Sequence, residues 1–205
     1  MRFTLVHSIF ASVIISLFTQ AACAAAEPDK PMNVLLLIVD DLNTWLLEDP
    51  TRYAGKLVAP NIQRLAKQGV LFHNAYTPNA KCAPSRAIIL TGRYSWQLEE
   101  AGNHMCYFPA KFGGYVERLA ADGYFAGYTG KGWGPGIAND ADGNRRAMTG
   151  KAYSKKKAKP PARQISNNDY AGNFESFLEE APAGTPWVFW YGTTEPHRGY
   201  EYGAG

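Results

Sequence analysis

Cys82-Ala83-Pro84-Ser85-Arg86 concentrates more chemistry than any other five residues of this chain. A proline two residues after the cysteine suits the first turn of a helix, which sets the sulfur beside unpaired backbone N–H groups that favour negative charge. Arg86 follows one turn later, where it can pair with an anion or with a chemically altered cysteine. On these grounds alone Cys82 reads as a reactive thiolate at an anion site. Asp40-Asp41 follows directly on an apolar run. Adjacent carboxylates are costly unless a cation or hydrogen bonds neutralise them, so the pair is a candidate cation site, with a helix cap or a plain surface pair as the alternative. Lys131 stands in the glycine-rich loop Thr129-Gly130-Lys131-Gly132-Trp133-Gly134, either as an anion contact or as an ordinary solvated lysine. His197, in Thr194-Glu195-Pro196-His197-Arg198, is of the type that moves protons near neutral pH. His104 is placed either to line a pocket or to be exposed.

These residues need elements to hold them. Asn33–Val39 is a short continuous apolar run, the pattern of a parallel strand covered on both faces, and Asp40-Asp41 closes it. Pro60–Gln68 reads as a helix stopped by Gly69, and Val70–Tyr76 as a strand. Pro84–Leu90 begins a second helix that ends near Gly92, and Phe112–Ala121 carries Val116, Leu119 and Ala120 at helical spacing. Tyr124–Thr129 is strand-like and runs into the glycine loop. Asp169–Glu180 is an amphipathic helix with Phe174, Phe177 and Leu178 on one face, and Trp187–Tyr191 is a further apolar strand. Alternating strands and helices predict an α/β fold with a mainly parallel sheet, and the polar candidates fall where strands end, as ligand sites do in such sheets. Ala138–Arg163, with five lysines ahead of Pro160-Pro161, reads as a surface insertion.

The signature around Cys82 resembles that of the sulfatases, Cys-x-Pro-Ser-Arg followed by an apolar pair and Thr-Gly-Arg, here continuing through Leu90-Thr91-Gly92-Arg93. Lys81 departs slightly from the small or apolar residue that is commoner before the cysteine. The resemblance covers most of residues 32–204, with four motifs in the family's chain order. It implies an alkaline-phosphatase-like α/β domain with a mostly parallel sheet flanked by helices, incomplete in this chain. It implies that Cys82 is converted to formylglycine by a maturation enzyme, and that Asp40, Asp41 and the modified Cys82 bind Ca2+ in preference to Mg2+. Arg86, Lys131 and His197 are then the catalytic partners, with His104 and Arg198 as weaker substrate contacts. Hydrated formylglycine would attack the sulfur of a sulfate ester, and His197 would protonate the departing alcohol or amine. Many members carry histidine two residues after the lysine, where this chain has Trp133. The Pro-His-Arg form is similar to the heparan N-sulfatase branch and its bacterial glycan-sulfatase relatives.

The resemblance thus implies hydrolysis of sulfate on a sulfated glycan. Phosphate mono- or diester hydrolysis on the same superfold is one alternative, and a non-catalytic glycan-binding remnant is another. The family's later metal ligands and second active-site lysine are expected beyond Gly205, so these 205 residues alone are expected to be inactive.

Composition narrows the rest. At 46% hydrophobic and 19% charged the chain is not disordered, and 20 Gly with 13 Pro in no period exclude a collagen-like one. A net charge of +3 gives no reason to invoke nucleic acid. Three cysteines cannot build a disulfide scaffold. Met1–Ala26 reads as a signal for the export machinery, with Arg2 and His7, an apolar stretch from Ile9 to Phe18, then small residues suited to cleavage. The expected location is periplasmic or secreted, and the expected domain is residues 27–205. Cys106 reads as a small core or loop thiol.

Overall fold

A computed structural model describes residues 30–43 and 58–197. The segment 1–26 and Arg198 lie outside the described residues. Of the two compact units, residues 1–31 and 32–205, the second carries every element described.

Strand β1 (Val34–Val39) is followed by helix α1 (Pro60–Gln68), with Pro60 in its first turn and Gly69 at its end. Helix α2 (Cys82–Thr91) ends at Gly92, whose φ of 65° is the left-handed conformation that lets its N–H turn back to Ile88 O. Two 3-10 turns, Ser95–Gln97 and Glu99–Gly102, lead to β2 (Cys106–Phe108). Helix α3 (Tyr115–Ala121) starts later than Phe112, because Gly114 is extended and its N–H is taken by the Glu117 carboxylate. Strands β3 (Phe125–Gly130), β4 (Gly136–Ala138) and β5 (Lys151–Ala152) precede α4 (Tyr170–Glu180), which Asp169 caps by accepting from Gly172 N, and β6 (Trp187–Thr193).

The main sheet runs β1-β6-β3-β5, every neighbouring pair parallel, and β2 and β4 form a separate parallel pair. Register sets Val39 beside Thr193 and Gly130 beside Gly192. On one face, Leu36, Ile38, Val188 and Trp190 pack against Ala87 and Leu90 of α2, Val116 of α3, Leu98, Ala101 and Phe108. On the other face, Phe189 and Tyr153 pack with Phe177 under α4, with Phe125, Phe174 and Trp187 around them. The result is an α/β/α sandwich, the α/β class read from the sequence.

Three expectations about elements change. Val70–Tyr76 is not a strand: no described strand pairs with it, and Val70, Phe72 and Tyr76 are exposed. Among the described residues, strand β1 is covered on one face only. Leu35, Leu37 and Val39 point to the side of Phe189 and Tyr191, but α4 lies over β3 and β6 and leaves these three exposed. Leu178, expected inside with Phe177, is exposed at 42% because the buried stripe of α4 runs through Asn173 and Phe177. Within 138–163 the lysines are exposed, while Lys151–Ala152 pairs with β3 and Met148, Thr149 and Tyr153 are buried. Arg146 pins this stretch to α3 through two hydrogen bonds to Glu117 and one to Phe112 O.

Candidate active site

Because β6 lies between β1 and β3, the carboxyl ends of three parallel strands are neighbours, and each continues into a candidate residue. Asp40 follows β1, Lys131 follows β3, and His197 ends the turn after β6. The turns are tied together by backbone. Lys131 N donates to Gly192 O at 2.8 Å, and His197 N donates to Asp40 O at 3.1 Å. Gly130 has φ of 69°, and a Cβ there would collide with Gly192 O, so only glycine lets the two strand ends approach this closely.

Helix α2 brings in the other two residues. Arg86 is buried, and its guanidinium spreads over three acceptors: Asp40 Oδ1 at 3.0 Å, Lys131 O at 2.6 Å and Gly132 O at 3.0 Å. It therefore clamps the β1 end to the glycine loop. Lys131 Nζ donates to the other oxygen of Asp40 and to Cys82 Sγ, the latter at 3.2 Å. Burial alone would raise the Asp40 carboxyl, but the hydrogen bonds and charges of Lys131 and Arg86 outweigh it and hold the group below its ordinary value. Burial likewise pulls Lys131 down, and Asp40 with Cys82 more than reverses this, so its ammonium is held above the usual value.

Asp41 differs from its neighbour. Its φ of 62° turns the chain sharply, its side chain is half-exposed, and its Oδ2 lies 3.9 Å from His197 Nε2. The ligating atoms of Asp40, Cys82 and His197 all lie within 4.8 Å of one another. The structure thus brings together Asp40, Asp41, Cys82, Arg86, Lys131 and His197. His104 is exposed in the turn before β2 and is not among the residues grouped around Asp40 and Cys82. Cys82 and Cys106 are both free thiols, and burial pushes the Cys106 thiol up, away from reactivity. Trp133 packs edge-on against Phe108 at 5.2 Å with its indole N–H unpartnered among the described residues. A cavity of about 500 Å³ beside it is lined by Arg145, Arg146 and Thr149 and by none of the cluster.

Some supporting residues had no sequence signal of their own. Trp190 Nε1 donates to Lys131 O at 3.0 Å, so a core residue of β6 helps seat the glycine loop. Glu195 accepts from Ser166 N and Tyr170 Oη, contacts that outweigh its burial and hold its carboxyl below the ordinary value. It thereby fixes the turn that carries His197. An indole buried within a strand must find an acceptor, which was the one available hint for Trp190.

As donors, Asp40 and Asp41 are hard oxygen ligands of the kind Ca2+ takes, although Asp40 already carries two cationic partners. They fit part of a calcium shell. The chain resembles several known proteins. It is 35% identical over 135 residues to iduronate 2-sulfatase of Mus musculus, covering 63% of this chain and 24% of that one. It is 37% identical over 123 residues to N-acetylgalactosamine-6-O-sulfatase of Bacteroides thetaiotaomicron, covering 56% and 23%. The chain therefore spans about a quarter of the length of these curated relatives. A solved structure in complex with its substrate D-glucosamine-2-N,6-O-disulfate superposes with a TM-score of 0.55 at 21% identity, covering 84% of this chain and 36% of that one, a likeness of fold. The sulfatase family model matches residues 32–205, and the chain belongs to the sulfatase family.

Proposed function

We propose that the protein to which these residues belong hydrolyses sulfate esters or N-sulfate on a sulfated sugar, with Cys82 as the residue that becomes the nucleophile. The observation that carries this reading is the contact of Lys131 Nζ with Cys82 Sγ beside the clamped Asp40–Arg86 pair, at the carboxyl ends of three parallel strands. A fixed ammonium there neutralises charge on a sulfate oxygen as the S–O bond breaks. Family membership and the sulfated sugar bound in the structural neighbour support the same substrate class.

Each residue has a task in this reading. Arg86 and Lys131 keep Asp40 ionised and fix the loop, so that no reorganisation is needed when charge develops. His197, held by its backbone to Asp40, donates a proton to the leaving oxygen or nitrogen. Asp40 and Asp41 would hold Ca2+, whose positive charge stabilises an anionic nucleophile. Conversion of Cys82 to formylglycine supplies a hydrated aldehyde, a nucleophile that regenerates by elimination. With two aspartates as hard donors the 205-residue chain alone holds Ca2+ weakly and releases no sulfate. Residues 1–26 direct export.

The test compares aryl sulfate and aryl phosphate turnover by the full-length protein produced with a formylglycine-generating enzyme. Sulfate turnover is expected to dominate, with the Cys82 peptide lighter by the mass lost on conversion. Faster phosphate turnover would overturn the reading in favour of a phosphoesterase. Binding of sulfated glycan without turnover of either ester would overturn it in favour of a binding protein.

A further inference from the structure

Cys82 Sγ, an imidazole nitrogen of His197 and a carboxylate oxygen of Asp40 come from three different elements, yet lie within 4.8 Å of one another. Thiolate, imidazole and carboxylate together are the donor set of a thiophilic, borderline ion such as Zn2+, and a poor one for Ca2+, which takes only oxygen. We propose that, while Cys82 is still a thiol, this cluster binds Zn2+ or a similar divalent transition-metal ion. The site stands whether or not the protein hydrolyses sulfate, because it concerns the unconverted cysteine.

The geometry asks for little movement. Bonds of about 2.3 Å to sulfur and about 2.0–2.1 Å to nitrogen and oxygen set tetrahedral donors about 3.5 Å apart, so donors that lie within 4.8 Å of one another must close by about 1.3 Å at most. His197 sits on a turn, and its side chain is 32% exposed, which leaves it room to do so. Three protein donors leave the fourth position to water or to Asp41, whose Oδ2 is near His197. The thiol proton passes to solvent as the Sγ–metal bond forms.

A resident cation already marks the place. Lys131 Nζ bridges Asp40 and Cys82 Sγ, doing as an ammonium what a metal ion would do as a bridging charge. Binding therefore displaces Lys131 from at least one of these partners. The consequence is counter-intuitive for a residue at the site: removing the lysine should tighten metal binding. Replacing the sulfur by oxygen, as conversion of Cys82 does, removes the thiophilic donor and turns the site towards harder ions.

The experiment uses the 205-residue chain with Cys82 unconverted, verified by intact mass, and titrates it with Co2+ as a coloured stand-in for Zn2+. The expected result is a thiolate-to-cobalt charge-transfer band in the near ultraviolet, bleached by equimolar Zn2+ and unaffected by excess Ca2+. Cys82→Ser should abolish the band, His197→Gln should weaken binding by more than about tenfold, Lys131→Met should strengthen it, and Cys106→Ser should leave it unchanged. Far-ultraviolet circular dichroism checks that each variant is folded; if Cys82→Ser is not, His197→Gln on its turn decides. No band, a band that survives Cys82→Ser or disappears with Cys106→Ser, or full affinity in folded His197→Gln would overturn the proposal.

Discussion

Replacing Arg86 by methionine tests the clamp at the centre of the site. Methionine keeps length and apolar contact while removing all three of the hydrogen bonds that Arg86 makes to Asp40, Lys131 O and Gly132 O. The losses are unequal. Asp40 keeps Lys131 as a partner, so it is not left bare, and the lower end of the cost of breaking a buried ion pair applies, about 3 kcal/mol. Lys131 O still accepts from Trp190 Nε1, which leaves only Gly132 O without its partner, at about 1 kcal/mol.

The expected destabilisation is therefore about 4 kcal/mol, a large share of the roughly 5–15 kcal/mol that holds a domain together. With a urea slope of about 2 kcal/mol/M, the unfolding midpoint should fall by about 2 M. Arg86→Lys keeps the charge but cannot span three acceptors, and should lose roughly half as much. The double variant Asp40→Asn with Arg86→Met should cost less than the sum of its parts by more than about 1 kcal/mol, because the two residues share one interaction. A midpoint shift below about 0.5 M for Arg86→Met, or simple additivity in the double variant, would refute the clamp.

Asp40 also predicts an acid dependence. Its folded-state carboxyl is held below the ordinary value, so its contribution is fully present above the unfolded pKa of about 3.9 and is lost as pH falls through the lower folded value. Urea midpoints measured from pH 6 to pH 2.5 should fall more steeply below pH 4 for the parent than for Asp40→Asn, and parallel curves would contradict the assignment. Trp190→Phe removes one hydrogen bond to Lys131 O, which Arg86 still occupies; urea unfolding should show a loss of about 1–2 kcal/mol. Leu37→Thr, on the exposed face of β1, should change stability by less than about 0.5 kcal/mol by the same measurement.

What the sequence disclosed and what it withheld follow one division. Elements set by local chemistry were legible: Pro60 and Gly69 bound α1, Gly92 ends α2, and Asp169 caps α4, which begins at Tyr170, one residue after the predicted boundary. The grouping of Asp40, Lys131 and His197 was legible too, because strand ends in a parallel sheet lie on one edge. Coverage was not. The run Val34–Val39 has the same residues whether a helix lies over it or not, and only the reach of α4 decides that Leu37 is half-exposed while Phe189 is buried. Val70–Tyr76 has strand composition but no ladder among the described residues, and composition alone does not make a strand. Pairings such as Arg86 with Asp40, 46 residues apart, and Lys131 with Asp40, 91 apart, leave no trace in local pattern.

Asp40 and Asp41 show most clearly what pairing adds to sequence. As neighbours of one type they read as equal partners in a cation site. The left-handed backbone at Asp41 separates them: Asp40 turns inward onto Arg86 and Lys131, whereas Asp41 stays half-exposed beside His197. The Asp40 carboxylate is balanced by two cations, whereas the Asp41 carboxylate sits near the surface of the site. Under the proposed function, a cation at this place would have to compete with Lys131 for Asp40. Because Lys131 holds both Asp40 and Cys82, a single Lys131→Met substitution bears on the electrostatics of the whole site.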